Sequence, residues 1–378
     1  MAGTGAEADT YKFGIEEEFF LADAGTRGTP RETVEAFHEA AQAGLDSVSR
    51  ELLQSQIEIC TPPSGRFAEA RARLQGLRTG LADLAARHDL LVFAAGTHPT
   101  ATWANQAGTE AARYRGIMDD LRMIGQRTVV CGLHVHVEVP RPEARIDIAN
   151  RLMPFLPALL ALSTASPFWQ GRRTGLMGYR LRAYAELPRT GLPELFDDAA
   201  DYGRYVDVMT RAGAIADASF LWWHVRPSLK YPTLELRIAD SCTRLDDTLA
   251  VAALYRCLVR LLERRPDLNA RMTGASRGFV MENLWRAERD GVRAELIDAA
   301  AARAVPLAEG IEAILGLVEA DADALGCRPE CERARAIVAE GSSADRQVAR
   351  YEAALGRGEA AALAEVVDGL ARETAGAP

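Results

Sequence analysis

The chain has 378 residues, 48% hydrophobic and 26% charged, with a formal net charge of −9. This is close to a globular average and supplies a core that needs neither disulfides nor a metal to hold it. The acidic balance argues against a nucleic-acid partner. Lys12 and Lys230 are the only lysines, so there is no GxxxxGKS or GxxxxGKT phosphate loop, and a lysine Schiff base has two candidates at most.

The first ten residues are small and polar, lack the basic start and apolar run of a secretory leader, and are expected to be disordered. Phe13–Leu21 alternates as a strand, and Thr33–Ala43 has helical spacing. Leu53–Cys60 alternates again, and Phe67–His88 reads as a helix. Leu133–Val139 is a strand, Ile146–Ser163 a helix and Leu234–Ile238 a strand. From about Arg244 the pattern is helical: Leu249–Leu262, opened from Thr243 and stopped by Pro266, then Ala308–Val318, Pro329–Glu340 and Ala344–Thr374. The tail from Ala375 is expected to be disordered. The order predicts an α+β fold, with an antiparallel sheet and its helices on one side. It forms a single catalytic domain over residues 11–374 whose helical part begins near 244. No apolar stretch reads as long enough to span a membrane, so a cytoplasmic protein without a membrane partner is expected.

Six cysteines (Cys60, Cys131, Cys242, Cys257, Cys327, Cys331) form no CxxC pair. They read as buried free thiols of a reducing compartment. Cys327 and Cys331 have the spacing to face each other on a helix, where a structural pairing is favoured over a zinc site.

The strands carry the functional signal. Residues two apart share a strand face. Glu16 and Glu18 therefore share a face with Gly14 and Phe20, while Phe13, Ile15, Glu17, Phe19 and Leu21 share the other. His134, His136 and Glu138 oppose four valine or leucine positions; Glu235 and Arg237 oppose Leu234, Leu236 and Ile238; Gln54, Gln56 and Glu58 oppose Leu53, Ile57 and Ile59. A solvated face would mix Lys, Ser and Thr, which are almost absent here. Four such faces in one sheet would repel unless cations intervened. Hard carboxylate oxygens with one or two imidazoles and no thiolate suit Mg²⁺ or Mn²⁺. Glu51 stands at the edge of this face. Arg226, before the Pro227-Ser228 turn, and Arg237 are placed to neutralise a transferring phosphoryl group.

These residues fall in blocks that resemble a known family. The blocks are Gly14-Ile-Glu-Glu-Glu-Phe, Glu51-Leu-Leu-Gln-Ser-Gln-Ile-Glu-Ile-Cys-Thr-Pro, Gly96-Thr-His-Pro, Cys131-Gly-Leu-His-Val-His-Val, Ser166-Pro-Phe-Trp-Gln-Gly-Arg, the run from Arg226 to Arg237, Asp240-Ser-Cys-Thr-Arg-Leu, and Glu282-Asn-Leu-Trp-Arg-Ala-Glu-Arg-Asp-Gly. In this order they are similar to the bacterial carboxylate–amine ligases, glutamate–cysteine ligase type 2. The resemblance implies a curved antiparallel sheet flanked by helices, akin to glutamine synthetase, with the active site on the concave face. It also implies an ATP- and Mg²⁺-dependent reaction through an acyl phosphate, with a glutamate-like amino acid among the substrates. Glu16, Glu18, Glu51, Glu58, His134 and Glu235 match metal ligands. Arg237 matches the arginine on the transferring phosphate, and with Glu58 it is expected to take part in the chemistry. Arg226, Arg237, His136 and Ser228 are expected at the nucleotide.

The chain departs from the commoner pattern at His224, at Leu229 and directly after Arg180. These segments are expected to border the substrate pocket, with Arg180 and His224 as substrate contacts. His98 is open between a structural and an active-site role. A homodimer or larger assembly is implied by the resemblance alone. A metal-dependent amidohydrolase and a non-catalytic metal- or nucleotide-binding homologue remain as alternative readings.

Overall fold

A computed structural model describes residues 10–30, 34–110 and 112–376. Expectations for residues 1–9, 377–378 and Thr33 fall outside the described residues. Strand β1 is Phe13–Asp23, followed by helix α1 (Val34–Gly44), β2 (Val48–Arg50), β3 (Gln56–Cys60), α2 (Phe67–Arg87) and β4 (Leu90–Phe93). Next come α3 (Ala112–Leu121), β5 (Gly132–Glu138), α4 (Arg145–Leu152), α5 (Leu156–Ser163), the short α6 (Arg180–Tyr184) and α7 (Ala199–Arg211). The rest comprises β6 (Val225–Pro227), β7 (Thr233–Asp240), α8 (Leu245–Arg264), α9 (Gly274–Asp290), β8 (Glu295–Asp298), β9 (Arg303–Pro306), α10 (Leu307–Ala324), α11 (Arg328–Glu340), α12 (Ser343–Ala354) and α13 (Glu359–Ala375).

The main sheet is antiparallel in the order β6-β7-β5-β1-β3-β2, with β4 pairing the C-terminal end of β1. Its apolar face is continuous: Phe13, Ile15, Ile57, Ile59, Val135, Val137, Leu234 and Leu236 are all buried in one core with the helices. Helix α2 presents Phe67, Ala70, Leu74, Leu77, Leu81 and Leu84 at helical spacing to that core. Helix α8 is buried nearly all round, with Asp246 and Asp247 in its first turn complementing the helix dipole. Glu17 is the one acid on this apolar face, fully buried. Arg78 of α2 grips it in two bonds of 3.0 and 2.5 Å, and Thr248 of α8 adds a third at 2.6 Å.

Several expectations need correction. The strand expected from Leu53 starts at Gln56, because Leu53–Ser55 turns sharply, with Gln56 N–H bonded to the Leu53 carbonyl at 3.0 Å. Gln54 consequently leaves the charged face and donates to the Gly108 carbonyl. The region after 244 is not wholly helical: β8 and β9 form a hairpin in an alanine-rich stretch. Asn283 of α9 pins that hairpin by bonding both the Ile297 N–H and carbonyl, so tertiary contact overrides helix propensity there. The helix expected over Ala344–Thr374 is two, divided by Leu355–Arg357 and by Gly358 at φ +98. The last helix runs on to Ala375. One stretch, Pro142–Ser163, does meet the length and hydropathy of a membrane span, yet most of its apolar window is buried within the protein, as a core segment.

Candidate active site

Pairing register brings the charged residues into one field. Glu16 stands opposite His134 across β1 and β5, and Glu18 opposite Glu58 across β1 and β3. His136 stands opposite Glu235, and Glu235 opposite Arg226. These residues, with Glu51 and Arg237, line a cleft of about 490 Å³ on the face away from the helical core.

Three overlapping ligand sets result: Glu16, His136 and Glu235; Glu16, Glu58 and His134; Glu18, Glu51 and Glu58. Within each, one donor atom per residue lies within 4.8 Å of the others. Glu16 sits between the imidazoles, 3.4 Å from His134 Nδ1 and 3.4 Å from His136 Nε2. Burial opposes its ionisation, but bonds to the two histidines hold its pKa well below the usual range. At the other end burial, then the Glu18 charge, pushes Glu51 up to about 8. Burial, then Glu51, Glu16 and Glu18, raises Glu58 well above the ordinary carboxylate range. Three carboxylates crowded in this way ask for a cation. His134 Nε2 is buried with no hydrogen-bond partner, 3.8 Å from Glu18. An orphaned imidazole nitrogen beside oxygen donors fits a divalent ion such as Mg²⁺ or Mn²⁺.

The opposite end is cationic. Arg226 holds Glu235 through Nε at 2.8 Å and also donates to the carbonyls of Ser219 and Leu221. Arg237 meets the same carboxylate and reaches Tyr184 OH at 3.4 Å. Glu235 is held well below the usual range: burial works against this, and Arg237 and then Arg226 overcome it. Arg237 Nε remains buried without a partner.

A buried polar support sits under this end. Between Leu236 and Ala239 the pairing of β7 with β5 shifts by one residue. Arg180 Nη1 donates to the carbonyls of Arg237, Ile238 and Ala239 at 3.3, 3.3 and 3.1 Å, bracing this bulge. A Cβ on Gly132 would come within 2.2 Å of Arg180 Nη2, so glycine is required there. Asp240 accepts from Ala165 N–H at 2.8 Å and Ser166 Oγ at 2.7 Å, and Gly96 packs so close that a Cβ would lie 2.4 Å from its carboxyl carbon. The Gly96, Cys131, Ser166 and Asp240 blocks are therefore one scaffold that carries the site.

The structure gathers Glu16, Glu18, Glu51, Glu58, His134, His136, Arg180, Arg226, Ser228, Glu235 and Arg237 around the cleft. It does not bring His224 there. That side chain is buried beside β7, where the His224 backbone carbonyl accepts from Arg237 N–H at 2.8 Å, and burial followed by Arg180, Arg182 and Arg237 pushes its imidazole down to about 3. Arg180 reaches the cleft, but Nη1 is occupied by backbone carbonyls. His98 is structural: its Nδ1 accepts from Ala101 N–H at 3.1 Å, and Phe20 and Phe93 pack edge-on around it. Sequence reasoning missed Tyr184, Trp222 and Tyr231 in the cleft lining, and Ser49 and Thr233, which hold Glu58 at 2.8 Å and His136 at 3.1 Å. Tyr231 and Thr233 lie within the Arg226–Arg237 block, but nothing in the alternation singled out their side chains; Ser49, Tyr184 and Trp222 belong to short elements with no pattern to mark them.

The fold is that of solved ligases. It matches the glutamate–cysteine ligase of Francisella tularensis, solved in complex with AMP, at TM-score 0.69 and 14% identity, covering 97% of this chain and 89% of that one. It matches a bifunctional glutathione synthetase from Pasteurella multocida at TM-score 0.69 and 14% identity, over 98% of this chain and 54% of that longer one. The sequence relation is closer. The protein named "Putative glutamate--cysteine ligase 2" in Bradyrhizobium diazoefficiens is 45% identical over 93% of this chain and 82% of its own. Its namesake in Ectopseudomonas mendocina is 45% identical over 96% of both chains. The model of glutamate-cysteine ligase family 2 matches residues 12–368, and the chain belongs to that family. It is an ATP-dependent carboxylate–amine ligase.

Proposed function

We propose that the cleft binds ATP with its phosphates over Mg²⁺ ions held by Glu16, Glu18, Glu51, Glu58, His134 and Glu235, and joins a glutamate-like carboxylate to an amine. The observation that carries this reading is the run of three overlapping oxygen–imidazole ligand sets ending at two arginines. Bound Mg²⁺ would neutralise phosphate oxygens and orient the transferring group. Arg237 and Arg226 stabilise the charge that grows on the phosphoryl group as the carboxylate oxygen attacks the γ-phosphorus of ATP, the bond to the β,γ-bridging oxygen breaks, ADP leaves and an acyl phosphate forms. His136 and Ser228 border the nucleotide. The amine then displaces phosphate and loses its proton to a carboxylate of the Glu58 end. Arg180 acts mainly by bracing the strand that bears Arg237. Residues 11–374 work as one catalytic unit, in a cytoplasmic homodimer or larger assembly.

Release of ADP, measured with glutamate and other amino acids against a panel of amines, tests the reaction. Turnover should require ATP, a divalent cation and both substrates. Amide cleavage that proceeds without nucleotide would replace this reading with a hydrolase.

A further inference from the structure

Behind the sheet, and outside the cleft, three sulfurs meet. Cys257 lies within α8, Cys327 caps the N-terminus of α11 and Cys331 follows one turn later; all three are at most 1% exposed. The sequence paired Cys327 with Cys331 alone, and only the tertiary fold adds Cys257. Its Sγ lies 3.5 Å from Cys327 Sγ and 3.8 Å from Cys331 Sγ, and all three sulfurs fall within 4.8 Å of one another. A disulfide would need about 2.0 Å. Sulfurs held about 2.3 Å from a tetrahedral zinc ion stand about 3.8 Å apart, which is the spacing found.

A second observation concerns charge. Arg256, the neighbour of Cys257, is fully buried. Its Nε and Nη1 donate only to the neutral carbonyls of Tyr11 and Gly65, and its Nη2 has no partner. Among the described residues no carboxylate pairs with it; its guanidinium lies over the rings of Phe13 and Phe67, 4.9 and 5.8 Å from their centroids, and the titratable groups that act on it are the thiols of Cys327 and Cys257. A buried guanidinium calls for an anion nearby. Three neutral thiols supply none. Three thiolates around a divalent ion carry one net negative charge, which balances Arg256.

We propose that Cys257, Cys327 and Cys331 form a structural zinc-class site that ties α8 to the start of α11. Three thiolates hold one soft divalent cation, and a small exogenous donor such as water takes the fourth position. Among the described residues no fourth His, Cys, Asp or Glu stands close enough to serve. Soft sulfur donors separate this site from the oxygen-rich cleft, which favours Mg²⁺.

The test uses the full-length protein, stripped of metal and titrated with Co²⁺. One equivalent should give sulfur-to-cobalt charge-transfer absorption and the intense visible bands of a tetrahedral site. Both should persist in Glu16→Gln, which alters only the cleft, and vanish in the Cys327→Ser/Cys331→Ser double variant. A second measurement needs no variant: in mild urea, Zn²⁺ should slow alkylation of these three cysteines at least about tenfold and leave Cys131 and Cys242 less protected. Absence of charge transfer in the unaltered protein, its survival in the double variant, or equal alkylation with and without Zn²⁺ would each overturn the proposal.

Discussion

The two ends of the cleft are built from the same residue type and differ in sign. At one end Glu18, Glu51 and Glu58 face one another with no arginine among the described residues bonded to them, and Glu51 and Glu58 are pushed toward the protonated state. At the other, Glu235 lies between Arg226 and Arg237 and is held ionised. Glu16 joins the two through His134 and His136. A glutamate thus has no fixed state: its neighbours decide whether it is pushed toward the neutral form or held ionised against a guanidinium. A polyphosphate chelated by divalent ions needs both, a cation-collecting end and a cationic end for the group in transit.

The link between the ends is the sharpest place to break this arrangement. Glu16→Gln removes a shared ligand from two of the three sets, and turnover should fall about 10³-fold or more, with added Mg²⁺ restoring little of it. Arg237→Lys keeps the charge but loses the planar fork, and kcat should drop about 10²- to 10³-fold with a smaller change in the KM for ATP. Glu17→Gln, one residue along on the opposite face, should act on stability instead. It leaves Arg78 buried and unpaired at a cost of about 3–5 kcal/mol in urea unfolding, while kcat per folded molecule stays near the parent value. Loss of chemistry without loss of stability in that variant would contradict the division between the faces.

The acidic end also predicts a pH effect. Glu51 has a folded pKa of about 8, above its ordinary 4.5. A carboxyl raised in this way contributes stability that is fully present below about pH 4.5 and is lost as pH rises through about 8. The cation-free protein should therefore lose thermal stability across that window, and the gain in Tm on adding Mg²⁺ should grow over the same range. A gain independent of pH would remove the assignment of Glu51 as a ligand. The smallest effect is expected at His224, which lies off the cleft: His224→Gln should change kcat/KM by less than about threefold, since its carbonyl, not its ring, meets Arg237.

The charged faces were legible because strand alternation has a period of two and needs no tertiary knowledge. Glu16, Glu18, His134, His136, Glu235 and Arg237 could thus be grouped before any strand was paired. Their order across the sheet could not, since register comes from pairings between separate segments of the chain, such as Glu16 with His134 and Glu18 with Glu58. Glu51 was visible only as an acid at an edge. The turn at Leu53–Ser55 that swings it beside Glu58, and turns Gln54 away, depends on contacts with Ala107 and Gly108. His224 fell outside the cleft, while Arg180 reaches it with Nη1 turned to backbone carbonyls, for a related reason: sequence marks a segment as bordering a site but not which atoms it turns inward.

The sequence by itself determined the family, the antiparallel α+β plan and the residue types on the charged strand faces, because these rest on local periodicity and ordered blocks. Only the tertiary structure decided the polarity of the cleft, the bracing of β7 by Arg180 and the meeting of Cys257 with Cys327 and Cys331. Each of these depends on long-range packing that sets which buried charge faces which, and burial is what turns those meetings into shifted protonation and unpaired groups.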